Sequence, residues 1–311
     1  MDQGLNVVII IFIILILLVY FTKMNKGIDD YLEIISENNT DFQAAPKVIY
    51  AYWNNNDVPE FIKKCVNNWK KMNPDYEVNL IVPRNIKDYI PQQDFPPNFE
   101  ILTPQRQSDW VRLYLIKNYG GVWLDASIIL TKSLSDLEFI QKENNSDGIG
   151  FYLPSSSKYT PHIETWFIMA RKGQPFISAW FDEFDKVCRR YGNDGAGYLT
   201  HLQRTYSSDI YHKMVSNRFN PAYLTVYVVS QKLMLIDELI PYHLESSDKY
   251  GFYYQNEVYG WNQVNHLFVD NKDRYIPPMI KLINKERQLV ILHVENGGDI
   301  HENSVYRRYI E

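Results

Sequence analysis

From Leu5 to Phe21 every position of the chain is apolar except Asn6. These seventeen residues, at a helical rise of about 1.5 Å, span roughly 26 Å, close to the roughly 30 Å core of a bilayer. Tyr20, Lys23 and Lys26 suit a membrane interface. Met1-Asp2-Gln3-Gly4 lacks the positive charge of a signal-peptide start, and Phe21-Thr22-Lys23 is no small-residue cleavage site. The pattern predicts a tail over 1–4, a single-pass transmembrane signal-anchor helix over 5–21 and a polar stem over 22–45. A signal peptide is the lesser alternative. A globular domain follows over 46–311.

Within that domain, β-branched and aromatic residues over Lys47–Trp53 predict a strand. Asp57 and Glu60 then form a D-x-x-E pattern, expected to box the start of a helix with Val58, Phe61, Ile62, Cys65, Val66, Trp69 and Met72 on one stripe. Tyr76–Val82 predicts the next strand. This β-α-β order indicates an α/β domain with a sheet covered by helices. A helix over Ser108–Asn118 is expected to stop at Gly120-Gly121 and feed a strand ending at Asp125. Further strands are expected near Ile128–Leu130, Gly148–Leu153 and Thr165–Ala170. Helices are expected over Pro175–Tyr191, Tyr198–Val215 and Tyr223–Leu239, and a late strand over Gln288–Val294. The second half thus reads as helical additions to the sheet.

Composition narrows the possibilities. The formal net charge is -5, which argues against nucleic acid as a partner. Two cysteines give no disulfide framework. Phosphate-loop, dinucleotide, serine-hydrolase and zinc-protease motifs are absent, and the seven histidines show no metal-pair spacing. Aromatic residues make up 15% of the chain, so packing and flat-ligand stacking both need consideration. Two lysines after the apolar segment would keep the large domain in the cytosol under the positive-inside rule. The sequons Asn38-Asn39-Thr40 and Asn144-Asn145-Ser146 would serve only on the lumenal side. The side of the membrane stays open.

The chemistry concentrates in Ser108-Asp-Trp-Val-Arg112 through Tyr119-Gly-Gly-Val-Trp-Leu-Asp125. Asp109 and Arg112, three apart, share a helix face. Asp125 arrives at the carboxyl end of a strand, where open α/β sheets bind ligands. An ordinary ion pair and a turn residue explain each piece alone.

This segment closely resembles the S-D-x-x-R … Y-G-G-[IV]-[YW]-x-D block of the DXD-type sugar transferases. That grouping covers capsular polysaccharide synthesis proteins, yeast-type mannosyltransferases and, more distantly, large glucosylating toxins. Pro46–Trp53, Cys65–Glu77 and Glu164–Ile168 resemble further blocks, and Pro278-Met-Ile-Lys281-Leu282 looks familiar. The resemblance implies a GT-A-like nucleotide-binding sheet flanked by helices. It also implies a glycosyltransferase that uses a nucleotide-sugar donor, a glycan or polysaccharide acceptor and Mn2+ or Mg2+, with retention at the sugar. Trp53 would stack on the base. Asp109 and Arg112 would contact the donor's sugar and phosphates, and Asp125 the metal, the ribose or both. Trp166 and Trp261 are acceptor candidates, each with packing as the alternative. Lys281 meets either a phosphate or solvent.

One departure stands out. The chain reads Asp125-Ala126-Ser127, and no Asp-x-Asp triplet occurs anywhere in it. Ser127 offers the metal only a neutral oxygen; Glu295 or Asp299 would have to complete the set. A degenerate domain that binds a nucleotide or glycan without catalysis is therefore the alternative function. The anchor would add membrane lipid as a partner.

Overall fold

The computed structural model describes residues 42–216, 220–258 and 264–311. The predicted anchor over 5–21 and Trp261 lie outside the described residues. Among those described, no helix is long and apolar enough to cross a membrane.

The elements run β1 (Val48–Tyr52), α1 (Glu60–Met72), β2 (Glu77–Ile81), α2 (Pro104–Tyr119), β3 (Gly121–Leu124), β4 (Ile129–Leu130), α3 (Ser135–Glu143), β5 (Gly148–Tyr152) and β6 (Ile163–Ala170). There follow α4 (Pro175–Tyr191), α5 (Gly195–Thr205), α6 (Ser208–Val215), α7 (Thr225–Leu235), β7 (His243–Ser246), α8 (Val264–Phe268), β8 (Met279–Ile280), α9 (Asn284–Glu295) and α10 (Val305–Tyr309). The main sheet has the order β2-β1-β3-β6-β5-β7. β1 is parallel to β2 and β3, whereas β6 runs antiparallel to β3 and β5. β4 and β8 form a small antiparallel pair.

The pleat sorts the side chains onto two cores. Ile49, Ala51, Val122 and Leu124 face one core, built with α1, α8, α9 and α10. Tyr50, Tyr52 and Trp123 face the other, built with α2 and α4 to α7. In α1 the stripe Phe61, Ile62, Cys65, Val66, Trp69 is buried as its periodicity predicts. The expected capping box does not form. Pro59 stands at the cap position without a side-chain bond, and Asp57 instead takes an Asn55 side-chain bond through its N–H.

α2 begins a turn earlier than predicted because Thr103 caps it and Pro104 fits its first turn. It ends at Gly120 and Gly121, which have φ of +70° and +100°. A Cβ on Gly121 would lie 2.6 Å from the Val48 carbonyl oxygen, so only glycine lets β3 start against β1.

The late strand expected over Gln288–Val294 is a helix, α9. Glu286 Oε2 accepts the Ile283 N–H at 2.8 Å and fixes its first turn. Val290 is buried while Leu289 and Leu292 are exposed, a helical division of the β-branched run. The helix expected over Tyr198–Val215 is broken into α5 and α6, with Ser207 capping the second.

Candidate active site

A cleft of about 510 Å³ opens at the carboxyl ends of β1 and β3. β1 delivers Trp53, β3 delivers Asp125, and the middle of α2 delivers Ser108, Asp109 and Arg112. Because β6 runs antiparallel to β3, its start lies beside the end of β3. It contributes Glu164, Thr165 and Trp166. The stretch after β8 brings in Lys281, and α9 brings in Arg287.

Arg112 organises the floor. Its side chain is 5% exposed, and it bonds Asp109 Oδ1 and Asp125 Oδ1, each at 2.8 Å. It also donates to Thr165 Oγ1 and, at 3.2 Å, to Ser108 Oγ. Its guanidinium lies 5.1 Å from the centre of the Trp123 ring. Thr165 in turn bonds the Tyr227 hydroxyl at 2.9 Å. A forked guanidinium suits this arrangement because it can hold two carboxylates in one plane.

Asp125 takes three donors. Oδ1 accepts from Arg112 and from Trp123 Nε1 at 3.1 Å, and Oδ2 accepts from Lys281 Nζ at 2.5 Å. Burial alone would raise its carboxyl, but Lys281 and Arg112 overcome that and hold it at about 2. Glu164 behaves in the opposite way. Burial pushes its carboxyl up to about 8, with Lys281 opposing and Asp125 adding to the rise. His162 Nε2 lies 3.9 Å from Glu164 Oε1.

The predicted residues divide. Trp53, Asp109, Arg112, Asp125, Ser127 and Trp166 all line the cleft. Trp53 carries the Arg287 guanidinium 5.0 Å from its ring centre. Trp166 is 2% exposed and stacks on Phe151 at 4.9 Å, so packing holds most of its ring. Glu295 instead lines a separate groove with Pro59, Phe61 and Tyr306. Asp299 offers its carbonyl to His293, whose ring packs on Phe268.

The protein's own donor set is poor for a divalent ion. Such an ion beside a nucleotide takes one or two carboxylates together with phosphate oxygens and water. Here the one carboxylate at the end of β3 has both oxygens engaged by cationic groups, and its neighbour Ser127 is neutral. Among the described residues no group of three His, Cys, Asp or Glu side chains could hold a metal.

Sequence reading left Lys281 undecided, gave Glu164 no role and missed Arg287. The first two stood inside family-like strings; Arg287 carried no local signal.

Residues 18–309 match the family described as capsular polysaccharide synthesis protein. O-glycosyltransferase braB of Annulohypoxylon truncatum is 29% identical over 164 residues, 46% of this chain and 38% of that protein. Inositol phosphoceramide mannosyltransferase 3 of Schizosaccharomyces pombe is 29% identical over 131 residues, 38% of this chain and 33% of that one. Mannosyl phosphorylinositol ceramide synthase SUR1 of Saccharomyces cerevisiae is 26% identical over 206 residues, 56% and 54% of the two chains. The chain therefore spans 38% of the length of the first of these relatives. A solved structure, PaToxG Glycosyltransferase, aligns over 70% of this chain and 80% of its own with a TM-score of 0.40 and 17% identity. With a family match running through nearly all of its length, this chain belongs to the capsular polysaccharide synthesis protein family.

Proposed function

We propose that the chain is a membrane-anchored glycosyltransferase of GT-A-like fold. It moves a sugar from a nucleotide-sugar donor to a glycan or polysaccharide acceptor. One observation carries the reading: Arg112 ties Asp109 and Asp125 together on the floor of a cleft at the carboxyl ends of β1 and β3. Ligands bind at such strand ends in open α/β sheets. The names of the relatives supply the reaction class.

In this reading the base lies on Trp53, with Arg287 closing that end. Arg112 faces the donor's phosphates, and Asp109 and Asp125 take hydroxyls of its sugars. Glu164, neutral near pH 7, can donate a hydrogen bond to a sugar oxygen. Retention at the sugar comes from the resemblance. Metal assistance does too, and the guanidinium and ammonium on Asp125 weigh against it.

The test incubates the purified full chain with a panel of nucleotide sugars, a nucleotide-linked mannose among them, and candidate glycan acceptors. Released nucleoside diphosphate and the product's anomeric signals are measured, the signals by NMR. Transfer with retained configuration is expected. No release and no donor binding with any member would sink the proposal. The cation-held carboxylate and missing second Asp favour a second reading, a binding module. It predicts donor binding without release.

A further inference from the structure

The carboxylate that the family resemblance offers to a metal is held by two protein cations. Lys281 Nζ sits on Asp125 Oδ2 at 2.5 Å and Arg112 Nη2 on Oδ1 at 2.8 Å. A divalent ion at Asp125 would stand against an ammonium on one oxygen and a guanidinium on the other, and Ser127 gives it no second charge. From this arrangement we infer that Lys281, with Arg112, supplies the positive charge for the leaving diphosphate in the place a metal ion would fill. The inference rests on the glycosyltransferase reading.

The fold delivers Lys281 with care. Its N–H donates to the Gly251 carbonyl at 3.0 Å, and its own carbonyl accepts from Gln255 Nε2 at 3.1 Å. A Cβ on Gly251 would lie 2.7 Å from the Trp166 ring and 3.0 Å from Lys281 Cβ, so this close approach needs glycine. The bond to Asp125 then fixes the ammonium beside Arg112 in the same cleft. The lining cations are Arg112, Lys281 and Arg287. They face the carboxylates Asp109 and Asp125, with the buried Glu164 carboxyl as a third acid. That balance leaves the cleft able to accept an anionic donor.

The transfer step needs this charge. The bond from the sugar's anomeric carbon to the phosphate oxygen breaks, and its electron pair stays on that oxygen. The acceptor hydroxyl oxygen forms the new bond to the same carbon. Its proton leaves to the released diphosphate or to water. Negative charge therefore grows on the phosphate, where a positioned ammonium stabilises it more than it stabilises the bound donor.

The experiment titrates the full chain with GDP and UDP by calorimetry, in excess EDTA and again with added Mn2+, and follows donor turnover under both conditions. Wild type is compared with Lys281→Met and Lys281→Arg, with melting curves to establish that each folds. At least one diphosphate is expected to bind in EDTA, with little change on adding Mn2+. Lys281→Met should weaken that binding by about tenfold or more, and Lys281→Arg should restore most of it. If Lys281→Met fails to fold, Lys281→Gln is measured instead. Binding or turnover that EDTA abolishes and Mn2+ restores would overturn the inference while the glycosyltransferase reading stands. Metal-independent binding that is indifferent to both substitutions also overturns it. No binding and no turnover in either condition removes the reading and the inference together.

Discussion

Asp125 and Glu164 lie on the same cleft wall, yet their environments push their protons in opposite directions. Asp125 keeps its charge because Lys281 and Arg112 sit on its oxygens. Asp125→Asn should therefore lower donor turnover by about 100-fold or more, measured as diphosphate release. It should also cost about 1–3 kcal/mol of stability, because Arg112 and Lys281 lose a partner. Glu164 holds a proton in the folded chain up to about pH 8, against an ordinary value of 4.5. Between those values the folded state binds a proton that the unfolded state has lost. Its contribution to stability is complete below the lower value and falls as pH rises through the window. Glu164→Gln mimics the protonated form. Melting temperatures measured from about pH 5 to pH 8 should fall less steeply for that variant than for wild type. Asp125 has the opposite sign, its contribution fading only as pH drops from 3.8 towards about 2, so the two are separable.

Among the elements, the α2–β3 junction sets the site. α2 carries Asp109 and Arg112, β3 ends at Asp125, and two glycines turn one into the other. Gly121→Ala would force a Cβ against the Val48 carbonyl at a φ of +100°. We expect a loss of at least about 2 kcal/mol by denaturant melting, with donor binding weakened in parallel. This junction was legible from sequence because its signals are local: a helical face, a glycine pair and a β-branched strand. α9 was not. Gln288–Val294 reads as a strand by composition, yet Glu286 caps it as a helix and Val290 alone of that run is deeply buried. A short apolar run has no intrinsic preference strong enough to choose, so the available neighbours chose.

For the whole molecule, Asn68 is a tie between distant segments. Its side chain bonds the Leu130 carbonyl and N–H, each at 2.9 Å, and the Tyr309 carbonyl at 3.0 Å. Asn68→Ala would strand these buried groups at about 1–3 kcal/mol, seen as a lower melting temperature for the entire transition. The apolar segment over 5–21 belongs to this scale too. Deleting 1–45 should move the protein from the membrane pellet to the supernatant; pelleting that persists without it would remove the anchor from the proposal.

The sequence by itself determined β1 to β6, though not β7 or β8, together with the apolar stripe of α1, the glycine turn and the Asp109, Arg112, Asp125 set. All of these lie within short stretches, where periodicity and turn chemistry act. The tertiary structure alone decided what faces Asp125. Lys281 is 156 residues away, and Arg287 follows it on a helix that the sequence did not announce. Their meeting depends on the path of the chain back over the sheet, and no local pattern encodes that path. The same return placed Glu295 in another groove and Lys281 on the carboxylate, because the hydrophobic packing of α9 and α10 against α1 fixes which residues reach the cleft.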